Sequence, residues 1–534
     1  MLHLESRQSG KKDSASLIGA ALVSFLLLLA GCGDSSTHKQ KRELTLDTFN
    51  ELKVEDYALN SAHISKSLEH ISSADHDDSY AATHVRQYYA NGEPMVWVGY
   101  AGTDERADSL VEVLERQLSV MGFKAKAFRV PQIRIDMERL RSLNFDKKNN
   151  VNTVVARLEY NLSKAFIGYT AGQRYGFVNP QYVLNRYDAR EKDSTGQVIA
   201  YRNLYDVDIK RPGKNYVKEA FQQLTTPSKL CEYLHASEPS DSFYHRLLHL
   251  LHSADIRQHK KILVNMERCR WRDKQKTEDG QKYVIVNVPA FHLWAVSPDT
   301  IIDMRAACGA TKTKTPLLSS KITHMQVNPE WVIPMSIIYD DVAHHGGDSS
   351  YFMRHRYYIA DRKTGKRLSP NVVTPAMLRS GNYRVAQEGG AGNSLGRIIF
   401  RFPNNFSVFL HDTSSPGVFQ RDNRGVSHGC VRVQRPFDLA VFMMDKDPDP
   451  ELLDKLRISM GMKPETDWGR EKLDELDPAV KTPRLVNSIN ISPRVPIYIT
   501  YYTMFQTPDG SLKYYPDVYG YDEVIAKTLE SYTE

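Results

Sequence analysis

The chain has 534 residues, of which 41% are hydrophobic and 25% are charged. This ordinary globular composition excludes collagen, extended disorder and a polytopic membrane protein, and the length suggests several domains of roughly 100–200 residues each. The 70 basic and 64 acidic residues leave a net charge of +6 without a long run of lysine or arginine, which argues against a nucleic-acid partner.

Residues 1–31 have the pattern of a secretory signal peptide. Basic residues precede an apolar run over 17–30, which is shorter than the roughly 20 residues that a membrane span requires. The run ends in the sequence LAGC at 29–32, which resembles the lipobox of bacterial lipoproteins. We therefore expect lipidation at Cys32 and a periplasmic protein anchored by acyl chains to the inner or the outer membrane. The alternative is an ordinary signal peptide with an incidental cysteine.

The polar residues 32–43 are expected to form a tether, and the pattern over 44–272 is mostly helical. Apolar residues recur there at three- and four-residue spacing, which is typical of helices with one buried face. The predicted helices cover 104–121, 151–169, 243–251 and 260–272. The polar segment 273–280 then marks a boundary.

Beyond this boundary the pattern changes to short β-branched and aromatic runs bounded by turn residues. The predicted strands cover 283–288, 291–296, 357–359, 397–402, 407–410, 495–503 and 511–515, and helices are predicted at 436–444 and 451–460. The sequence therefore predicts an α+β protein, in which a helical N-terminal scaffold domain over 44–272 precedes a β-rich domain over 281–534.

A cysteine motif in the β-rich domain carries the chemistry. Ser427, His428, Gly429 and Cys430 run directly into a strand-like segment, and His411 lies nineteen residues upstream of the cysteine. The thiolate is the nucleophilic form of cysteine, and a nearby imidazole can take the thiol proton and lower the thiol pKa. Gly429 lets the backbone approach a substrate carbonyl, so that amides around Cys430 can face a developing oxyanion.

These residues resemble the signature of the L,D-transpeptidases, the YkuD-type cysteine enzymes of bacterial cell walls. Further similar segments are 284–293, 328–334, 387–396, 402–404 and 411–413. Segments 265–271 and 495–503 resemble the larger YcbB-like branch, and the N-terminal helices resemble its scaffold domain. The peptidoglycan-binding module that this branch often carries just before 265–271 does not fit into residues 252–264.

The resemblance implies a role for each residue of the motif. Cys430 would attack the carbonyl of the third stem-peptide residue, a diamino acid, and expel the terminal D-Ala. His411 would be the general base or the ion-pair partner of the thiol. The backbone N–H groups of His428, Gly429 and Cys430 would form the oxyanion hole.

The supporting residues each keep two interpretations. Ser427 either hydrogen-bonds the catalytic histidine or holds the turn, and His428 is either a second base or a turn residue. We infer that the main-chain carbonyl of Asp412 orients the imidazole of His411. Candidate substrate-binding residues, each with a structural alternative, are Arg424, Arg432, Trp331 and Asn393; a guanidinium offers bidentate donors to a carboxylate.

Residues 339–383 are expected to form a lid-like insertion. In the YcbB-like branch this position holds a lid over the active site, and the stretch 344–350 is polar, so we predict a flexible substrate-gating loop. His344 and His345 could instead ligate a metal, but no third and fourth ligand stand at suitable spacing. The resemblance requires neither a metal nor an organic cofactor.

Apart from Cys32 and Cys430, the chain has three cysteines, Cys231, Cys269 and Cys308. They allow at most one disulfide, and we expect them to be largely buried small apolar residues.

The expected substrates are peptidoglycan stem peptides as donor and acceptor, with other wall enzymes as candidate partners. The sequence leaves the acceptor open: a stem amine gives a transpeptidase, whereas water gives an L,D-carboxypeptidase or an amidase that detaches a wall-bound protein. The competing class is a non-catalytic wall-binding lipoprotein, whose 29 Tyr and 5 Trp would stack on glycan.

Overall fold

The computed structural model describes residues 57–99, 102–276, 280–444, 447–477, 480 and 483–533. The described chain forms two compact units. The first comprises 57–178, 211–259 and 528–533, and the second comprises 179–210 and 260–527. This division differs from the boundary expected at 272–281, because 179–210 and 260–272 belong to the second unit and contribute side chains to its core. The expected domain bounds stay a prediction.

The described helices are α1 (Ser61–Ser73), α2 (Tyr80–Ala90), α3 (Glu105–Val120), α4 (Val130–Ser142), α5 (Val151–Tyr175), α6 (Pro180–Leu184), α7 (Tyr216–Gln222), α8 (Pro227–His235), α9 (Ser242–Ser253), α10 (Ile256–Arg270), α11 (Met335–Asp340), α12 (Ser349–Arg354), α13 (Pro375–Arg379), α14 (Pro436–Met443), α15 (Pro450–Ser459), α16 (Asp467–Asp474) and α17 (Tyr521–Thr533). The predicted helices correspond to α3, α5, α9, α10, α14 and α15.

The described strands are β1 (Val98–Gly99), β2 (Gly102–Thr103), β3 (Ala189–Lys192), β4 (Val198–Tyr201), β5 (Tyr205–Asp206), β6 (Tyr283–Asn287), β7 (His292–Val296), β8 (Ile301–Gly309), β9 (Leu317–Val327), β10 (Trp331–Val332), β11 (Tyr357–Asp361), β12 (Arg367–Leu368), β13 (Tyr383–Gln387), β14 (Ile398–Arg401), β15 (Leu410–His411), β16 (Gly425–Ser427), β17 (Val431–Val433), β18 (Ser488–Thr500), β19 (Met504–Gln506) and β20 (Leu512–Tyr514).

The first unit is built around α5, whose residues are buried on nearly all sides. Its start is capped by Asn150, whose side chain accepts the N–H of Thr153, and the helix ends at Gly176. Glu159 lies fully buried in its middle and accepts the backbone N–H groups of 96–98, so its carboxylate is satisfied by hydrogen bonds instead of water. The helical scaffold predicted for the N-terminal half is confirmed.

The second unit is built around one large sheet. Its strands follow the order β14-β15-β17-β8-β7-β6-β18-β9-β5, and β14 also pairs with β9, which closes eight of these strands into a barrel. The barrel core consists of aliphatic and aromatic side chains from both the strands and the flanking helices α14 and α15. The predicted β-rich domain, and with it the α+β class, is confirmed.

The sequence patterns predicted only part of the strands around the Cys430 motif, namely β15 but not β8 or β9. The strand predicted at 407–410 is only Leu410–His411, because Ser407 has a positive φ of 55° that interrupts the extended chain. The long strands β8 and β9 were not predicted, although buried and more exposed residues alternate along part of each, which is the pattern of a strand with one buried face.

Residues 331–387 form an insertion with a sheet and a core of its own. The sheet has the order β10-β13-β11-β12, and its core contains Ile338, Phe352 and Leu378. The stretch 344–350, predicted to be flexible, instead contributes to short helices whose Tyr351 and Phe352 are buried. The insertion is therefore a folded subdomain rather than a loop, and its gating role stays a prediction.

Candidate active site

Cys430 lies on a tight turn between β16 and β17. Gly429 has a φ of 118°, a conformation that a residue with a Cβ rarely adopts. Ser427 Oγ donates to the carbonyl of Cys430 at 2.5 Å and accepts the N–H of Gly429 at 3.1 Å. Ser427 therefore holds the turn, the second of its two predicted interpretations.

A second set of hydrogen bonds fixes the turn from beneath. The hydroxyl of the fully buried Thr315 donates to the carbonyl of Gly429 and accepts the N–H of Gly309, both at 2.8 Å. Thr313 Oγ1 donates to the carbonyl of Ser427 at 2.7 Å. The Tyr519 hydroxyl accepts the N–H of Thr315 and donates to the carbonyl of Gly309.

Sequence reasoning missed these anchors, because Thr315 and Tyr519 lie more than a hundred residues before and almost ninety after the motif. Only the tertiary fold brings them to the turn.

His411 lies on the strand next to Cys430. β15 runs parallel to β17 with His411 opposite Arg432, so Cys430, two residues earlier, lies on the same face as the imidazole. Such diagonal neighbours have Cα atoms about 7–8 Å apart, which long side chains can bridge. The structure therefore brings the predicted nucleophile and base to adjacent positions on one sheet face.

The imidazole is fixed by its own backbone. His411 Nδ1 lies 2.6 Å from the carbonyl oxygen of Asp412, so the neutral ring donates its Nδ1 proton there and leaves Nε2 as the proton acceptor. The Asp412 carboxylate in turn accepts the N–H of Arg397 at 2.8 Å. Gly396 is required beside it, because a Cβ there would overlap the Asp412 side chain. The inferred orienting contact of Asp412 is present.

The electrostatics favour a neutral thiol and a neutral imidazole. Burial and the charge of Arg432 lower the pKa of His411 to about 4, against the opposing effect of backbone carbonyls. Burial raises the pKa of Cys430 to about 11, although the Phe409 N–H and two arginines oppose it. The expectation of a lowered thiol pKa is therefore wrong for this geometry, because desolvation outweighs the neighbouring groups. His411 thus fits the general base better than the ion-pair partner.

The predicted oxyanion donors differ in availability. The N–H of Gly429 is already donated to Ser427 Oγ, which removes it from the predicted set. His428 is exposed and Cys430 half-buried, and their backbone N–H groups flank that glycine. The candidate oxyanion hole therefore consists of the N–H groups of His428 and Cys430.

Two predicted substrate-binding residues are instead structural. All three guanidinium nitrogens of Arg424 donate to backbone carbonyls, among them those of Ala306 and Phe291. Asn393 is fully buried; its Nδ2 donates to the Glu388 carbonyl at 2.9 Å and its Oδ1 accepts the N–H of Leu395. With their polar atoms used inside the protein, neither side chain can bind substrate without breaking the fold.

The other two substrate-binding candidates lie in different surroundings. Trp331 packs against the core of the insertion and contacts the Tyr357 ring edge-on. Arg432 lies on the same sheet face as His411 and is half-buried; among the residues that the structure describes, its Nε has no hydrogen-bond partner. Arg401 on β14, which sequence reasoning missed, stacks on Phe409 with 4.7 Å between its Cζ and the ring centroid. The continuous apolar run of β14 before Arg401 gave no signal of its position.

The histidine pair of the insertion has protein partners. His344 Nδ1 lies 3.4 Å from Arg379 Nη2, and the His345 ring stacks on Tyr351 with centroids 3.8 Å apart. Within the ranges that the structure describes, no three His, Cys, Asp or Glu side chains cluster as metal ligands.

The predicted signal peptide, tether and lipidated Cys32 lie outside the described residues. Among the residues that are described, no helix combines the length and the apolar character that crossing a membrane requires. Of the three remaining cysteines, Cys308 is fully buried as expected, whereas Cys231 and Cys269 are half-buried.

Comparison with known protein families finds two matches along the chain. Residues 281–458 match the L,D-transpeptidase catalytic domain, called YkuD, and residues 83–251 match a family described as the scaffold domain. The first range contains the barrel strands β6–β9, the insertion and the Cys430 turn. The second lies within the helical part of the chain.

Among relatives, a Haemophilus influenzae protein named "Putative L,D-transpeptidase" is 28% identical over 274 residues, which are 50% of this chain and 49% of that protein. The chain thus spans about half the length of the curated relative that it matches. An L,D-transpeptidase structure from Mycobacterium smegmatis is 12% identical and covers 41% of this chain and 58% of its own, with a TM-score of 0.17.

Proposed function

We propose that this chain, which belongs to the L,D-transpeptidase family through its YkuD catalytic domain and its scaffold domain, cross-links the third-position diamino acids of two peptidoglycan stem peptides. The observation that carries the proposal is the parallel register of β15 and β17, in which His411 lies opposite Arg432, two residues after Cys430. The Asp412 carbonyl supports it, because it holds the imidazole in the tautomer that accepts a proton at Nε2.

Acylation begins from the neutral pair. His411 Nε2 takes the proton of the Cys430 thiol while the sulfur attacks the carbonyl carbon of the third residue of the donor stem. The N–H groups of His428 and Cys430 donate to the oxyanion. The tetrahedral intermediate collapses, the bond to the fourth residue breaks, and the imidazolium gives its proton to the departing amine of D-Ala. The product is a thioester on Cys430.

Deacylation reverses these roles with a second stem. The side-chain amine of the acceptor's diamino acid attacks the thioester carbonyl, and His411 removes a proton from that amine. The carbon–sulfur bond then breaks, and the proton returns to the sulfur. A new amide joins the two stems, and the enzyme is restored without a cofactor.

We also propose that the mature protein acts in the periplasm while held to a membrane by lipids on Cys32. The basis is the LAGC sequence at 29–32 behind an apolar run. Metabolic labelling with a fatty acid should mark the wild type but not a Cys32→Ser variant; labelling of that variant would refute this assignment.

The test of the reaction uses the whole protein with a disaccharide tetrapeptide as donor and acceptor. Mass spectrometry should detect an acyl-enzyme on Cys430, release of D-Ala and a cross-linked dimer. Cys430→Ala should abolish all three, whereas the matched thiol variant Cys269→Ala should retain them. Release of D-Ala without a dimer, even at high acceptor concentration, would instead identify water as the acceptor.

A further inference from the structure

The loop 309–315, which leads from the end of β8 toward β9, supports the turn of Cys430 from beneath. Two of its hydroxyls and one backbone N–H donate to carbonyls of the turn: Thr315 Oγ1 at 2.8 Å, Thr313 Oγ1 at 2.7 Å and the N–H of Ala310 at 3.0 Å. Because each carbonyl left without a donor costs free energy, the backbone of the turn follows the backbone of the loop. A change in the loop is therefore passed on to the nucleophile.

The hydroxyl of Tyr519 joins the two ends of this loop. It donates to the carbonyl of Gly309 at 2.6 Å and accepts the N–H of Thr315 at 3.1 Å. Tyr519 is only 3% exposed, and burial raises the pKa of its hydroxyl, so this group stays a protonated donor shielded from water. The loop is closed tightly, since a Cβ at Gly309 would lie 2.1 Å from the carbonyl oxygen of Thr313. One buried hydroxyl thus fixes the separation of the loop ends.

Tyr519 is held in turn by a buried network in the segment 501–522. The Tyr501 hydroxyl accepts the backbone N–H of Tyr519 at 2.7 Å and donates to the carboxylate of Asp517. The two tyrosine rings stack with their centroids 5.7 Å apart. The same carboxylate accepts the backbone N–H of Tyr521 at 2.9 Å. These bonds leave the Tyr519 hydroxyl one position relative to the loop.

This segment lies outside both parts of the chain that match known families. The catalytic-domain match ends at residue 458 and the scaffold match at residue 251, whereas Tyr501, Asp517 and Tyr519 all come later in the chain. The segment nevertheless belongs to the same compact unit as the Cys430 turn. The family match therefore leaves out groups that fold against the loop beneath the nucleophile.

We propose that Tyr519 is a positioning residue for Cys430, which acts through the loop 309–315 to keep the two oxyanion donors of the turn in place. The inference rests on the proposed function, which supplies the oxyanion. Among the described residues the Tyr519 hydroxyl bonds only the loop, so its effect on the reaction passes through the loop. The segment 501–522 is thereby a working part of the active site.

The experiment compares a reaction that forms an oxyanion with one that does not. Acylation of Cys430 by the disaccharide tetrapeptide needs the oxyanion donors, whereas alkylation of the same thiol by iodoacetamide is a displacement at a saturated carbon and does not need them. Tyr519→Phe removes the hydroxyl and keeps the ring. It should lower kcat of acylation about 10- to 100-fold and leave both the donor KM and the alkylation rate unchanged.

Two comparisons show whether the effect belongs to this hydroxyl and passes through the loop. The matched control Tyr498→Phe removes a buried hydroxyl that donates to the Gln275 carbonyl at 2.7 Å, and both of its rates should stay near wild type. Because Tyr519 and Thr315 hold the same loop, Tyr519→Phe added to Thr315→Val should slow acylation by less than about threefold more. Tyr501→Phe releases the N–H of Tyr519 and should slow acylation by a smaller factor than Tyr519→Phe.

Hydrogen exchange reports on the turn without any reaction. In Tyr519→Phe the amides of 425–431 should exchange at least about tenfold faster than in wild type or in Tyr498→Phe. Should Tyr519→Phe fail to fold, Tyr501→Phe carries the same test.

Four results would overturn the proposal: acylation at the wild-type rate in Tyr519→Phe, an equal fall of acylation and alkylation, effects of Tyr519→Phe and Thr315→Val that multiply, or exchange of 425–431 at the wild-type rate. Failure of the proposed function looks different, because the wild type itself would then form no acyl-enzyme from the tetrapeptide. The exchange rates would in that case decide alone whether Tyr519 holds the turn.

Discussion

The buried hydroxyl of Thr315 offers a test of which hydrogen bonds hold the turn that carries Cys430. Thr315→Val keeps the shape of the side chain but removes the one atom that bonds both Gly429 and Gly309. Each backbone group left unpaired costs about 1–3 kcal/mol, so the free energy of unfolding should fall by about 2–6 kcal/mol. Relaxation of the turn toward water would bring the loss toward the lower figure.

The same change should slow acylation. The carbonyl of Gly429 is no longer held, so the N–H of Cys430 shifts away from the oxyanion position, and loss of one such donor costs about 3–4 kcal/mol when complete. Partial displacement should reduce kcat about 10- to 100-fold with little change in the donor KM, since the hydroxyl is buried away from substrate.

The assay combines urea denaturation with the time course of acyl-enzyme formation on Cys430. Thr315→Ser is the matched control, because it keeps the hydroxyl and loses only a methyl group, and it should stay close to wild type in kcat. If Thr315→Val acylates at the wild-type rate, or if the serine variant is as slow as the valine variant, the turn is not positioned by this hydrogen bond.

Further predictions concern the catalytic pair and its supports. The pH profile of kcat/KM for acylation should rise as the pH passes about 4 and fall as the pH passes about 11, since the reaction needs a neutral His411 and a protonated Cys430 thiol. A profile that already falls as the pH rises toward about 8 would identify a reactive ion pair. Burial lowers the pKa of His411 to about 4 from its unfolded value of about 6.5, so the free energy of unfolding should fall by about 3 kcal/mol as the pH drops from about 6.5 to 4. His411→Gln should flatten this part of the pH dependence of the free energy of unfolding. An unchanged pH dependence in that variant would refute the assignment. Gly396→Ala should displace the Asp412 side chain, lower kcat at least tenfold and leave thiol accessibility to alkylation unchanged; wild-type kcat would contradict the orienting role of Asp412. Arg424→Met should lower the urea midpoint, because it leaves backbone carbonyls unpaired, but should not change the donor KM; the opposite pattern would restore it as a substrate-binding residue.

Local patterns in the sequence were enough to predict several helices and the two central residues of the candidate site. The periodic apolar residues of α3 and α5 predict helices, and the cysteine motif with an upstream histidine predicts the nucleophile and the base, because these signals depend only on neighbours along the chain. The same motif could not indicate whether Ser427 bonds the histidine or the turn.

The tertiary structure decided what depends on distant segments. Strand pairing places His411 opposite Arg432, two residues after Cys430, and the segment at 309–315 supplies the hydroxyls beneath the Cys430 turn. Burial in the folded chain reverses the expected direction of the pKa shift of the Cys430 thiol. Desolvation depends on every group packed around the thiol and not only on its neighbours along the chain. The ligands of an arginine likewise depend on the completed fold, which is why Arg424 and Arg432 look alike in the sequence and have different surroundings in the structure.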